Sequence, residues 1–176
     1  TVTLTEDVEF TAQCAINNIK IVFVEDAVTY DEQPVNFNVS WKQRKRWSAG
    51  ILQCLKVYHK KLFQAYKKNG NIASFDMLLV FMAPVMQILS FILTIVFHIE
   101  LYDIMSYLYA SGVVFFLVLY LGNVLMNIYV TTYNKKKPED IISGIFLFSF
   151  FILSWIPINI VCMVKKYNKW EEIRHT

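Results

Sequence analysis

Two short runs in the N-terminal part of the chain carry side chains able to do chemistry. The first is Thr5-Glu6-Asp7. A carboxylate at that point can take a proton from a substrate hydroxyl if a substrate comes within hydrogen-bonding reach. Acids in a first helical turn are also ordinary capping chemistry, and taken alone the triplet reads that way. The second run is Gln43-Arg44-Lys45-Arg46-Trp47, with Trp41 just before it. On a helix Gln43, Arg46 and Trp47 fall at i, i+3 and i+4 and point the same way. That face offers an amide, a guanidinium able to hold a diphosphate bidentately, and an indole as a flat platform for a sugar ring. Arg44 and Lys45 flank it and add positive field. The bland alternatives are a solvated basic run or the basic flank of a membrane protein.

Two helices must position these runs. Thr5 is placed to cap a helix whose first turn holds Glu6, Asp7 and Glu9. Val8, Ala12, Ala15 and Ile19 recur on one helical face, and Asn17-Asn18 suits a helix exit. Ile19–Val24 has the β-branched and aromatic content of a buried strand, and Ala27–Tyr30 reads as a second short one. Asp31-Glu32-Gln33-Pro34 ends it, because proline restricts both itself and its predecessor. From Asn36 a second helical segment runs to about Lys68, with a break expected near Gly50. Ile51, Leu55, Tyr58 and Leu62 form its apolar face, while Lys56, Lys60, Lys61, Lys67 and Lys68 supply charge. A basic amphipathic helix ahead of an apolar segment reads as one lying on a membrane surface; an ordinary surface helix of the head is the alternative. Asn69-Gly70-Asn71 then turns the chain.

The average composition, 56% hydrophobic against 18% charged over 176 residues with a net charge of +3, conceals a division. Residues before Met77 carry ten basic and eight acidic side chains. Beyond them Met77–Ile99, Ile104–Asn134 and Ile141–Val164 hold no Asp, Glu, Lys or Arg over 23, 31 and 24 residues. Each exceeds the roughly 20 apolar residues that cross a bilayer core. A soluble single domain is excluded, and so is disorder, which requires low hydrophobicity. Cys14, Cys54 and Cys162 are odd in number and never spaced CxxC, which argues for small buried apolar residues over a disulfide framework or a zinc site. The opening Thr1 with no signal-peptide pattern reads as a cut inside a larger protein.

Basic residues near the spans orient them. The lysine-rich approach to Met77 puts the head in the cytoplasm, the acidic link His98–Asp103 outside, and Lys135-Lys136-Lys137 inside again. Lys165, Lys166 and Lys169 then make the far end of the third segment basic as well. A simple crossing puts that tail outside, against the rule; a segment re-entrant or broken at Pro157 keeps it inside.

An acidic triplet opening a helix, a strand, and a Gln-x-x-Arg-Trp helix leading to spans resembles the membrane-integrated family 2 glycosyltransferases, such as the cellulose, chitin, hyaluronan and poly-N-acetylglucosamine synthases. The TED and QxxRW motifs of that family stand here as Thr5-Glu6-Asp7 and Gln43 to Trp47. The surrounding run, Leu4 through Phe10 and Asp31-Glu32-Gln33-Pro34 through Gly50, looks most like the bacterial poly-N-acetylglucosamine-synthase-like branch. The resemblance covers essentially the whole chain. It implies the C-terminal α/β remnant of a GT-A-type domain over residues 1–50 and an interfacial helix over 51–74. About three transmembrane helices follow within 75–164 (77–99, 104–131 and 141–164), then a basic tail over 165–176, so that the chain is mostly α. It also implies that Asp7 is the general base for inverting attack on the anomeric carbon of a UDP-sugar. Trp47 would stack near the acceptor glycan, with Glu6, Gln43, Arg46 and, less directly, Arg44 contacting substrate. The family's Mg²⁺ or Mn²⁺ site uses a DxD-type pair, and no Asp-x-Asp occurs here; its ligands would lie upstream of Thr1, and this portion alone would be inactive.

Further readings follow from the same resemblance and composition. The protein would be a multi-pass plasma-membrane enzyme with its head in the cytoplasm, and the positive charge marks membrane topology, not nucleic-acid binding. A non-processive glycolipid transferase and a non-catalytic membrane scaffold or transporter subunit are the alternatives. Gln87, Asn123, Asn127 and Asn159 suit interhelical hydrogen bonds or the lining of a glycan path. His98, Glu100 and Asp103 are a weak candidate for a metal, and Trp170 to Thr176 is similar to the aromatic-plus-basic tail of some synthases.

Overall fold

The computed structural model describes residues 2–100, 105–165 and 167, and among them all regular structure is helical. Helix α1 (Glu6–Ile16) is followed by an irregular stretch and then by α2 (Phe37–Asn69). Helices α3 (Ile72–Glu100) and α4 (Met105–Tyr133) come next. A 3₁₀ turn (Pro138–Ile141) leads into α5 (Ile142–Leu153) and α6 (Trp155–Val164). Three stretches are long and apolar enough to cross a membrane: Ile72–Val96, Phe116–Tyr133 and Ile142–Val164. The chain forms two compact units, one of Thr1–Leu89 with Ile156–Thr176 and one of Ser90–Trp155.

In the first unit α1 ends as its asparagines dictate. Asn17 closes the helix and Asn18 takes a left-handed φ of 56°, which lets the Ile19 amide bond back to the Cys14 carbonyl. Ile19 therefore lies outside the helical face expected for it and is exposed, and Ile16 packs in its place. Thr5 holds the N-cap position, but its side chain caps nothing; its hydroxyl faces the Cys54 thiol instead, at 3.9 Å.

Neither expected strand forms. Residues 19–35 are irregular around a turn closed by Ala27 N to Val24 O, and Phe23 and Tyr30 are 88% and 97% exposed. A strand exists only through a partner ladder, and no described segment offers one. The α/β remnant is thus not seen.

Helix α2 begins at Asn36, whose side chain accepts from the Asn38 amide, and it stops at Gly70, at φ 62°. It is continuous through Gly50, where a break was expected. The glycine serves a close approach: a Cβ there would sit 2.5 Å from Thr5 Cγ2 and Oγ1. The face of Tyr58 and Leu62 is buried with Cys54, Ala12 and Ala15, and Ile51 and Leu55 pack beside it. Met77 and Phe81 of α3 complete this core. Asn71 Nδ2 and Ser74 Oγ both donate to the Ala15 carbonyl, at 2.6 and 3.1 Å, so the start of α3 is tied to the end of α1.

The third apolar stretch is broken, at Ser154 and not at Pro157 itself. Proline has no N–H for the carbonyl four residues back, and its ring crowds that carbonyl, so the helix yields one turn upstream. The Ser154 amide and hydroxyl both turn to the Phe151 carbonyl. In the second unit α4 and α5 pack through polar contacts. Asn123 Oδ1 accepts from Asn127 and Ser149, and Tyr120 and Asn127 donate to the Phe146 and Ile145 carbonyls. Such bonds substitute for the hydrophobic drive that is missing between helices in lipid.

Candidate active site

Successive residues on a helix turn by about 100°, so Gln43, Arg46, Trp47, Gly50 and Cys54 share one stripe of α2. The N-terminus of α1 lies on the C-terminal end of that stripe, because Gly50 has no side chain under Thr5. The Leu4 amide donates to Gln53 Oε1 at 3.0 Å, and the Cys54 thiol meets Thr3 Oγ1 at 3.5 Å. Burial pushes the Cys54 thiol up, the negative charges of Glu9 and Asp7 add to the rise, and the Thr3 and Thr5 contacts oppose it. Glu6 and Asp7 are both exposed.

The N-terminal end of the stripe stays open. Gln43 is half-buried and Trp47 is 36% exposed, which leaves part of the indole available to a ligand. Arg46 is half-buried, and its Nε is buried with no hydrogen-bond partner among the described residues. A buried donor in that state costs about 1–3 kcal/mol. Arg44, one step round the helix, faces elsewhere: it is 2% exposed, bonded to the Ser40 carbonyl and lying 5.5 Å from the Phe37 ring centroid. Burial lowers its pKa, yet a guanidinium stays charged.

What holds the acidic turn is a residue that sequence reasoning treated only as capping charge. Glu9 is 1% exposed. Its carboxylate accepts from the Val2 and Thr3 amides, from Thr3 Oγ1 at 2.7 Å and from Tyr58 Oη at 2.8 Å. Burial pushes its pKa up, but the bonds from Thr3, Tyr58 and Val2 outweigh that, and the carboxyl titrates below its ordinary value. Tyr58, raised by burial and by Glu9, also receives Gln13 Nε2 at 3.1 Å. The only sequence hint was an acid on the helix turn that also carries apolar contacts.

On another side of α2, Ser48 donates to Asn159 Oδ1 and Asn159 Nδ2 donates to Gln87 Oε1, both at 2.6 Å. Cys162 donates to the Lys45 carbonyl at 3.4 Å. Beyond the third apolar stretch, the Tyr167 carbonyl accepts from Gln53 Nε2 at 2.7 Å, and its ring lies 4.3 Å from Lys45 Nζ. The chain that leaves α6 therefore returns to α2, and Gln53 joins it to the approach to Thr5. Residues Trp170 to Thr176 and Asp103, and the side chains of His98 and Glu100, lie outside the described residues. Cys14, Cys54 and Cys162 are buried and unpaired with one another. No three His, Cys, Asp or Glu side chains gather as a metal site among the described residues.

Compared with known protein families, residues 1–164 match the family model described as glycosyl transferase family group 2. No curated protein and no solved structure matches the chain.

Proposed function

The chain belongs to glycosyl transferase family group 2, and from that membership we propose that it forms the acceptor side of an inverting transferase. The enzyme moves a sugar from a UDP-sugar onto a growing β-linked polysaccharide at a membrane. Asp7 takes the proton of the acceptor hydroxyl as that oxygen attacks the anomeric carbon and the bond to the UDP oxygen breaks. Trp47 carries the acceptor ring on its exposed face. Arg46 and Gln43 bind the diphosphate or acceptor oxygens, Glu6 lines the same approach, and Arg44 contributes field from its buried position.

One observation carries this reading. Thr5 rests on Gly50, a residue of the same α2 stripe as Gln43, Arg46 and Trp47, and this supports bringing the acidic turn toward that group. The partly exposed indole of Trp47 supports it. The described side chains do not gather a divalent-cation site, and Mg²⁺ or Mn²⁺ would be held by residues outside them. Residues 19–35, with their exposed apolar side chains, meet the donor-binding part of the domain. The head faces the cytoplasm, and the contact of Tyr167 with Gln53 keeps the start of the basic tail on that face, in accord with the positive-inside rule.

The test uses the full-length protein and a radiolabelled UDP-sugar. Asp7→Asn lowers transfer by a factor on the order of 10²–10⁴, the usual worth of a positioned base, while membrane insertion is unchanged. Normal polymer output from that variant overturns the assignment. Trp47→Ala shortens the product chains; unchanged chain length removes the stacking role.

A further inference from the structure

A second stripe of α2, roughly opposite the one that carries Trp47 and Gly50, faces an open groove of about 600 Å³. Leu55 and Phe63 of α2 and Leu78 and Met82 of α3 form its apolar walls, and Lys56 and Lys60 stand on its lining beside them. The polarity is arranged in one direction: the charged side chains of the lining are cationic, and no acidic residue is among them. Both lysines are exposed, and neither the candidate active site nor the α1–α2 core uses them. Leu78 and Met82 belong to the first stretch able to cross a membrane, so the groove lies where an apolar span joins a helix rich in lysine.

We propose that this groove binds an anionic phospholipid, with one acyl chain along Leu55, Phe63, Leu78 and Met82 and the headgroup phosphate held by Lys56 and Lys60. A volume of this size is that of an ordinary small-ligand site. Long lysine stems lie along apolar surface while their ammonium groups reach outward, which suits a headgroup above a buried chain. A zwitterionic lipid fills the apolar part equally well but brings its own cation to the lysines, so charge selects the anionic one. This inference does not depend on the transferase reading, because its measurement is of lipid and not of sugar transfer.

The test reconstitutes the full-length protein in nanodiscs containing equal amounts of phosphatidylcholine and phosphatidylglycerol and counts retained lipids by native mass spectrometry. Each lysine near an anionic headgroup is worth roughly a fivefold preference, so the wild type, with two, retains phosphatidylglycerol over phosphatidylcholine by about 25-fold. The double variant Lys56→Gln with Lys60→Gln brings the two lipids near parity, and Lys56→Arg with Lys60→Arg restores the preference. Met82→Trp, which fills the groove, lowers retention of both lipids. Equal retention by the wild type, or a preference that survives the glutamine pair, overturns the proposal. So does a stable dimer that the glutamine pair or Met82→Trp dissociates, since the groove then belongs to a second copy.

Discussion

The docking of α1 on α2 and the irregular stretch between these helices treat polarity in opposite ways. In the first, a carboxylate is almost wholly buried: Glu9 is 1% exposed and receives two amides and two hydroxyls. In the second, Phe23, Tyr30 and Val35 are 88%, 97% and 92% exposed, and Val22 and Val28 are open to solvent too. Burying a charge is unfavourable unless hydrogen bonds replace its water, and these donors, with Gln13 Nε2 at 3.4 Å, do so here. Exposing so many large apolar side chains in one short segment is equally unusual. The difference separates a region whose polar and apolar groups are packed by its own chain from one whose apolar side chains are not. The acidic turn is held rigidly by its own chain, whereas residues 19–35 have the composition of a strand and no ladder.

Substitutions sharpen this contrast, beginning with the self-contained region. Phe81→Ala removes the largest fully buried side chain of the α1–α2–α3 core and lowers the unfolding free energy by about 3–5 kcal/mol. Denaturant titration of the purified protein reads it, and a change under about 1 kcal/mol would mean that the first apolar stretch is not part of the head's core. Glu9→Ala strands the Thr3 and Val2 amides and the Tyr58 hydroxyl and costs about 2–3 kcal/mol. Pairing it with Tyr58→Phe in a double-mutant cycle yields coupling of about 0.5–3 kcal/mol; additivity would deny the network.

The pH dependence of Glu9 follows from the direction of its shift. A carboxyl whose folded pKa is lowered stabilises the fold above its unfolded pKa, and that contribution is lost as pH falls through the lowered folded value. Thermal scans through the acid range should therefore show a steeper loss in the wild type than in Glu9→Gln. Parallel curves would remove Glu9 as the cause.

Gly50→Ala drives a methyl into Thr5 and costs about 1–3 kcal/mol by overpacking. It also lifts the acidic turn from α2, so sugar transfer in the full-length protein falls even where the variant folds. Equal activity would separate that turn from the site. The smallest effect belongs to the open stretch: Phe23→Ser changes the stability of this chain by no more than about 0.5 kcal/mol, because the ring touches little. If residues 19–35 meet the rest of a larger domain, the same change weakens the full-length protein well beyond that amount.

Much of this was legible in the residues. The first helix, its asparagine exit, the stop at Gly70 and the apolar face of Tyr58 and Leu62 follow from local patterns, since caps and periodicity act over a few residues. The interhelical roles of Gln87, Asn123, Asn127 and Asn159 were also readable, because an amide among apolar residues must find a partner. What misled were features whose meaning depends on distant neighbours. Ile19–Val24 has strand chemistry and no ladder here. Gly50 looks like a breaker until Thr5 is set on it. Arg44 and Arg46 are two residues apart in one basic run, yet the first is buried and the second only half-buried.

By itself the sequence determined the membrane character, the helical register that gathers Gln43, Arg46 and Trp47, and the acidic turn at Asp7. These are one-dimensional properties: runs without charge, a period of 3.6 and a cap. Only the tertiary structure decided that Glu9 is the carboxylate that anchors the turn. It also decided that Gly50 is a point of contact and that Gln53, which accepts from the Leu4 amide, reaches the Tyr167 carbonyl 114 residues further along the chain. Those outcomes rest on which surfaces exclude water from one another. Exclusion of that kind is a property of packed elements, and no local pattern of residue types encodes it.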